Sequence, residues 1–163
     1  MSAMMSSATT ASPAYSQISV FRSRAIGTDV SDGRQNQARD ESNLLAQAQQ
    51  ETYNLQSLEE GWNGYDALPP SAPSIRQAMH WIVRSYAECK DAGIRWYKPN
   101  ITASAEGEVV FEWWAADRSL IVYIEEEAAS FHKSLDGKGP TQHTHGEALL
   151  GESQAELLRW FGE

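Results

Sequence analysis

The chain has 163 residues, with 13 Lys and Arg against 22 Asp and Glu, a formal charge of −9, and 41% hydrophobic residues that include six Trp. That is apolar material for the core of one domain, in a chain short for two, and it excludes a fully disordered polymer. No apolar run approaches the ~20 residues that a membrane-crossing helix needs, and the single Cys89 excludes an intrachain disulfide and a cysteine-built zinc site.

Charge divides the chain near residue 40. Residues 1–40 hold four Arg against three Asp, a net of +1, while the rest holds nine basic and nineteen acidic groups, a net of −10. The opening stretch, rich in Ser, Ala and Thr, has no sustained apolar period, which predicts a flexible tail over 1–39 ahead of a single acidic domain over 40–163. Tyr15–Phe21 is an exception, because its composition suits a short edge strand or a docking segment. Two Arg, many Ser and no acid in residues 1–28 loosely match an organellar transit peptide, with a plain tail as the simpler reading.

From Asp40 to Glu60, Leu44, Leu45, Ala48, Leu55 and Leu58 recur at helical spacing, and the helix is expected to start at Asp40 or Ser42 and end at Gly61. The following Gly61-Trp-Asn-Gly-Tyr-Asp-Ala-Leu-Pro-Pro-Ser71 reads as a loop. A second helix then starts at Ser71 as N-cap, with Pro73 in its first turn. Ile75, Ala78, Met79, Ile82, Val83, Tyr86 and Cys89 share one face, and Gly93 ends it.

Short alternating segments follow at hairpin spacing, which predicts an antiparallel meander of about four strands. They are Ile101–Ser104, Val109–Trp114, Leu120–Ile124 and Ala128–Lys133, the last ending at Asp136-Gly137. Ser153 and Glu156 have the spacing of a capping box before a short C-terminal helix carrying Leu157, Leu158, Trp160 and Phe161. The expected fold class is α+β: two N-terminal helices packed on the meander, with a short C-terminal helix.

The stretch Glu60–Ser71, then Lys98-Pro-Asn-Ile101, Glu106-Gly-Glu-Val-Val-Phe-Glu-Trp113 and Arg118-Ser-Leu120, resembles a broad, largely uncharacterised family of small bacterial and phage proteins. The likeness covers roughly residues 55–135. It implies a single small α+β domain of prokaryotic origin and assigns no catalytic residue. In the loop, Gly61 and Gly64 permit positive φ, so that Trp62 and Tyr65 are expected to fold back as anchors over the apolar surface. The functional alternative is a ligand pocket made by Trp62, Tyr65 and Asp66.

Among chemical candidates, His143 and His145 share a face if their segment is extended, Glu147 is close, and His132 could add a third imidazole. Such a set suits zinc or acid–base chemistry. Weighed against it is an ordinary exposed segment, with no second ligand motif such as His-Glu-x-x-His. His80 reads as a boundary residue beside Trp81, and Cys89 as a buried thiol with no group beside it in sequence to activate it. Glu112 and the run Glu125, Glu126 and Glu127 could pair for hydrolysis or metal binding. A solvated turn that discourages edge-to-edge association is the favoured reading of the run. Trp113 or Trp114, Phe111 and Tyr123 could stack on bases, but a body of net charge −10 without a basic stripe argues against nucleic acid. Those aromatics read as two-sided packing under the helices.

No phosphate loop, nucleophile elbow or dinucleotide fingerprint is present in the sequence. The expectation is a non-enzymatic, cytoplasmic, acidic protein-binding module of antitoxin, immunity or phage-inhibitor type, without a cofactor. It would bind a protein with a basic surface, neither nucleic acid nor a membrane, and self-association as a homodimer stays open. The residues expected to make contact are Trp62, Tyr65, Asp66, Trp114, Glu125, Glu126 and Glu127. The alternative is a small metal-dependent hydrolase using His132, His143 and His145.

Overall fold

Helical spacing in the first half and hairpin spacing in the second become, in the computed structural model, three helices and a five-stranded sheet, described over residues 29–136, 140–147 and 153–162. Helix α1 spans Asp29–Asn54 and continues into a 3-10 turn, Leu55–Ser57; α2 spans Ala72–Asp91 and α3 Gln154–Gly162. The strands are β1 (Asn100–Ala103), β2 (Val109–Trp114), β3 (Arg118–Ile124), β4 (Ala129–Leu135) and β5 (Gln142–Glu147). Each pairs antiparallel with the next, in the order β1-β2-β3-β4-β5. The Tyr15–Phe21 segment and the transit-like stretch lie outside the described residues.

Helix α1 begins at Asp29, not near Asp40, and gives way to the 3-10 turn well before Gly61. Its first turns lack an apolar period in sequence, but Arg, Gln and Ala are good helix formers, and a helix anchored further along is extended at little cost. Ala48 and Thr52 are the buried points of that anchor. In α2, the Ser71 side chain accepts from the Ser74 backbone N–H at 3.1 Å and Pro73 occupies the first turn, as expected. The buried face runs through Ser74, Ile75, Ala78, Trp81, Ile82, Ser85 and Cys89, so Trp81 points in and Val83, expected inside, points out.

The helices cover one face of the sheet. Val109, Phe111 and Trp113 of β2 and Leu120, Val122 and Ile124 of β3 alternate into a common core with Trp81, Ile82, Trp96 and Leu158. Trp81 lies between Phe111 and Trp113, with ring centroids 5.6 and 6.0 Å away. Trp96 donates from Nε1 to Ser85 Oγ at 3.2 Å, and Trp113 donates to the Tyr97 carbonyl at 2.7 Å, so two buried indoles keep their polar atoms satisfied. The other face carries Val110, Glu112, Trp114, Ile121, Tyr123, His132, His143 and His145, and no described helix lies over it. Two-sided packing under the helices was expected of the aromatics; it is one-sided, and Trp114 is 64% exposed.

The fifth strand, β5, has no counterpart in the sequence reading. Gln-His-Thr-His-Gly-Glu offers no apolar alternation, and every residue but Gly146 is exposed, so the burial signal that betrays a strand is missing. The pairing itself is regular, with Phe131 opposite Gly146 and His132 opposite His145. At the C-terminus, the expected capping box is replaced by a long-range cap. Glu88 of α2 accepts from the Ala155 backbone N–H at 3.3 Å and from Ser153 Oγ at 3.4 Å, which ties α3 to α2.

Candidate functional site

Two regions of the molecule gather the side chains with chemical potential, and they lie apart. The first is one end of the sheet. Leu68 donates its backbone N–H to Ala105 at 2.9 Å, which sets the 61–70 loop against the β1–β2 turn. Val109 pairs with Ile124, so the Glu125–Ala128 turn emerges at that same end. Glu126 and Glu127 also border a cleft of about 510 Å³ with Pro73, Arg76, Gln77 and His80 at the start of α2.

The loop is braced from within. Gly61, at φ +76°, donates to the Ala67 carbonyl at 2.8 Å, and an added Cβ there would lie 2.8 Å from the Tyr65 carbonyl oxygen. Asn63 Oδ1 accepts from the backbone N–H groups of Tyr65 at 2.9 Å and Ala67 at 3.4 Å, an Asx-type closure. Trp62 Nε1 donates to the Leu68 carbonyl at 3.3 Å. This geometry buries Ala67 and Pro70, not the aromatics. Trp62 and Tyr65 were expected to fold back as anchors; Tyr65 is instead 83% exposed and Leu68 51%, and Trp62 and Asp66 are exposed as well.

Glu125, Glu126 and Glu127 are all exposed in a tight turn closed by Glu125 N–H to the Ala128 carbonyl at 2.9 Å. Trp114 does not join this group. It sits at the far end of β2 from Val109, about 17 Å along the strand. Glu112, half-buried on the bare face, accepts from Asn100 Nδ2 at 2.9 Å and has no second carboxylate as its strand neighbour.

The second region is the bare face of the β4–β5 hairpin. His132 and His145 stack with centroids 4.3 Å apart and planes 15° apart, and His143 lies 5.4 Å from His132. His143 Nδ1 and Ser134 Oγ are hydrogen-bonded at 3.1 Å. The Nε2 atom of His132 is sealed from solvent without a partner. Burial, followed by the neighbouring His145 and His143, pushes the His132 imidazole below its ordinary value. The rings come together as the sequence suggests, yet among the described residues no group of three His, Cys, Asp or Glu is placed to hold a metal ion.

Elsewhere the chemistry is quiet. Cys89 is fully buried, and burial, with Glu88 and Glu41 adding to it, pushes its thiol up to about 11, so the nucleophilic thiolate is suppressed at neutral pH. A cleft of about 640 Å³ lies between Asp40, Glu41 and Leu44 of α1 and the Arg95–Lys98 segment. Arg95 there lies over the Tyr97 ring at 5.2 Å, and Lys98 pairs with Glu51 at 2.6 Å, so its cations are turned to structural contacts. No described helix is long and apolar enough to cross a membrane. Comparison of the chain with protein-family models, curated proteins and solved structures finds no match.

Proposed function

We propose that this chain is a non-enzymatic protein-binding module that engages a partner through the end of the sheet where the 61–70 loop and the Glu125–Glu127 turn both emerge. The observation that carries the reading is the loop itself. Trp62, Tyr65 and Leu68 are exposed apolar groups on a backbone already closed by Gly61, Asn63 and Ala67. Aromatic side chains on a pre-ordered loop lose little conformational entropy on binding, which is what a contact residue needs. Three adjacent carboxylates supply a field that favours a basic partner surface and speeds encounter.

Antitoxins, immunity proteins and phage-type inhibitors work in this way, and one of these roles in a prokaryotic cytoplasm is the function we assign. Trp114, at the other end of the sheet, is left out of the contact.

The test is a photo-crosslinker placed at Asp66 in the full chain, expressed in cells that make it. One protein should be captured, and its binding measured with purified components. Tyr65→Ala should weaken binding by about tenfold or more, as a contact residue does. The triple change Glu125→Lys, Glu126→Lys, Glu127→Lys should slow association and flatten its salt dependence. Unchanged affinity and unchanged salt response in both variants would overturn the reading.

A further inference from the structure

The β4–β5 hairpin holds three of the four histidines of the chain, with His143 and His145 of β5 both in ring contact with His132 of β4. Among the described strands β5 is an edge strand paired only to β4, and each of its residues but Gly146 is exposed. On the helix side its one aromatic contact is the Phe131 ring lying across Gly146, where an added Cβ would meet the ring at 2.5 Å. On the bare side, the contacts that bind β5 to β4 are the His132–His145 stack and the Ser134–His143 hydrogen bond.

We propose that His132, stacked on His145 and beside His143, is a proton-operated clasp that holds β5 on the sheet while its ring is neutral and releases this edge strand when it takes up a proton.

Geometry makes protonation costly in the closed state. A protonated His132 carries an N–H at Nε2, and that atom has neither solvent nor an acceptor. A charge on His132 also lies one ring-stack from His145 and 5.4 Å from His143, so a second proton meets direct repulsion. The rest of this face does little to relieve it. β3 places Ile121 directly opposite His132, with Tyr123 further along. β2 contributes Glu112, which lies beyond Ile121 and is engaged with Asn100. On β5 the neighbouring carboxylate is Glu147, opposite Ser130, and at the turn end of the hairpin Asp136 is engaged by Thr141 at 2.8 Å. The described strands carry no Lys or Arg on this face, since Lys133 points to the helix side over Phe131 and Trp160. The sealed Nε2 of His132 gains solvent only when β5 leaves.

The sign follows from linkage. The closed state disfavours the charged imidazole, so its stability is complete above the ordinary histidine range near pH 6.5 and is lost as pH falls below it. Each excess proton taken up by the open form shifts the opening equilibrium by up to about tenfold per pH unit.

Amide hydrogen exchange of the full chain, corrected for intrinsic rates, from about pH 7.5 to about pH 5, tests this. The β5 amides should lose about tenfold or more protection while those of α2 and β2 keep theirs. His145→Gln should abolish the pH dependence, and His80→Gln, outside the cluster, should leave it intact. Because His145→Gln could itself free β5, the ring protons of His132 are followed by NMR in wild type. They should titrate below the ordinary histidine value, in step with loss of β5 protection. Constant β5 protection across the range, or a pH dependence unchanged in His145→Gln, would overturn the proposal.

Discussion

The β2–β3 ladder and the β4–β5 hairpin are built on the same antiparallel geometry, yet one is packed under the helices and the other is largely exposed. Along β2 and β3, alternate residues enter a core shared with α2 and α3, and Val109, Phe111, Leu120, Val122 and Ile124 are fully buried. Along β5 the alternation continues with nothing to bury, and opposite it β4 offers only half-covered Phe131, Lys133 and Leu135 on the helix side, its buried Ala129 lying before the paired stretch. Backbone pairing alone contributes modestly, because it exchanges one set of hydrogen bonds for another. What fixes a strand is the apolar layer above it. The comparison teaches that the ladder belongs to the core, while the hairpin depends on a few side-chain contacts that conditions can alter.

The largest effect should come from the ladder. Trp81→Ala removes a buried indole between Phe111 and Trp113 and should cost about 3–5 kcal/mol in chemical denaturation. A domain of this size has a total stability of about 5–15 kcal/mol, so the variant will be close to unfolding. A loss under about 1 kcal/mol would show that the core relaxes around that site far more than its packing implies.

On the hairpin, Gly146→Ala pushes a methyl group into the Phe131 ring and should cost about 1–3 kcal/mol by overpacking. That loss should appear as faster exchange in β5 with little change in β2. An equal loss in both strands would dissolve the distinction between the regions.

The α2–α3 junction lies between these extremes. Burial pushes the Glu88 carboxyl up, but the Arg84 side chain, the Ala155 and Gln154 backbone N–H groups and the charge of Arg84 outweigh it and hold it below its usual value. Glu88→Ala should cost about 1–2 kcal/mol by removing a cap. Because the folded state favours the carboxylate, this contribution is present above the unfolded value of 4.5 and disappears as pH falls through the lower folded value. In chemical denaturation the gap between wild type and variant should therefore be full at pH 7 and narrow as the pH is taken down below 4.5.

The smallest expected change is a gain. Gln154 is buried with both amide atoms unpartnered, so Gln154→Leu should stabilise the fold by about 1 kcal/mol in thermal denaturation. Destabilisation would mean that the amide is satisfied in solution.

Legibility in the sequence followed the same division. Ile75, Ala78, Ile82 and Cys89 of α2 and the alternation of β2 and β3 were readable because apolar periodicity reports burial directly, whereas inward Trp81 and outward Val83 were not. Trp96 escaped notice because the Ile94–Pro99 segment has no period; its burial comes from Ser85 and Tyr86, eleven and ten positions back on α2. β5 left no apolar signal because it buries almost nothing. The trio His132, His143 and His145 could be named from spacing, but the stack requires a register that places His132 opposite His145, and register is set by tertiary pairing. The loop reading failed in an informative way. Gly61 and Gly64 do adopt positive φ, but Asn63 turns the chain so that small Ala67 fills the interior and Tyr65 faces solvent.

Native-state hydrogen exchange against increasing denaturant near pH 7.5 tests the division between ladder and hairpin most directly. Amides of β2 and β3 should exchange only through global unfolding, with a steep denaturant dependence, while those of β5 exchange through a local opening that hardly responds to denaturant. If β5 amides follow the same steep line as β2 and β3 throughout, the hairpin is part of the cooperative core and the division is wrong.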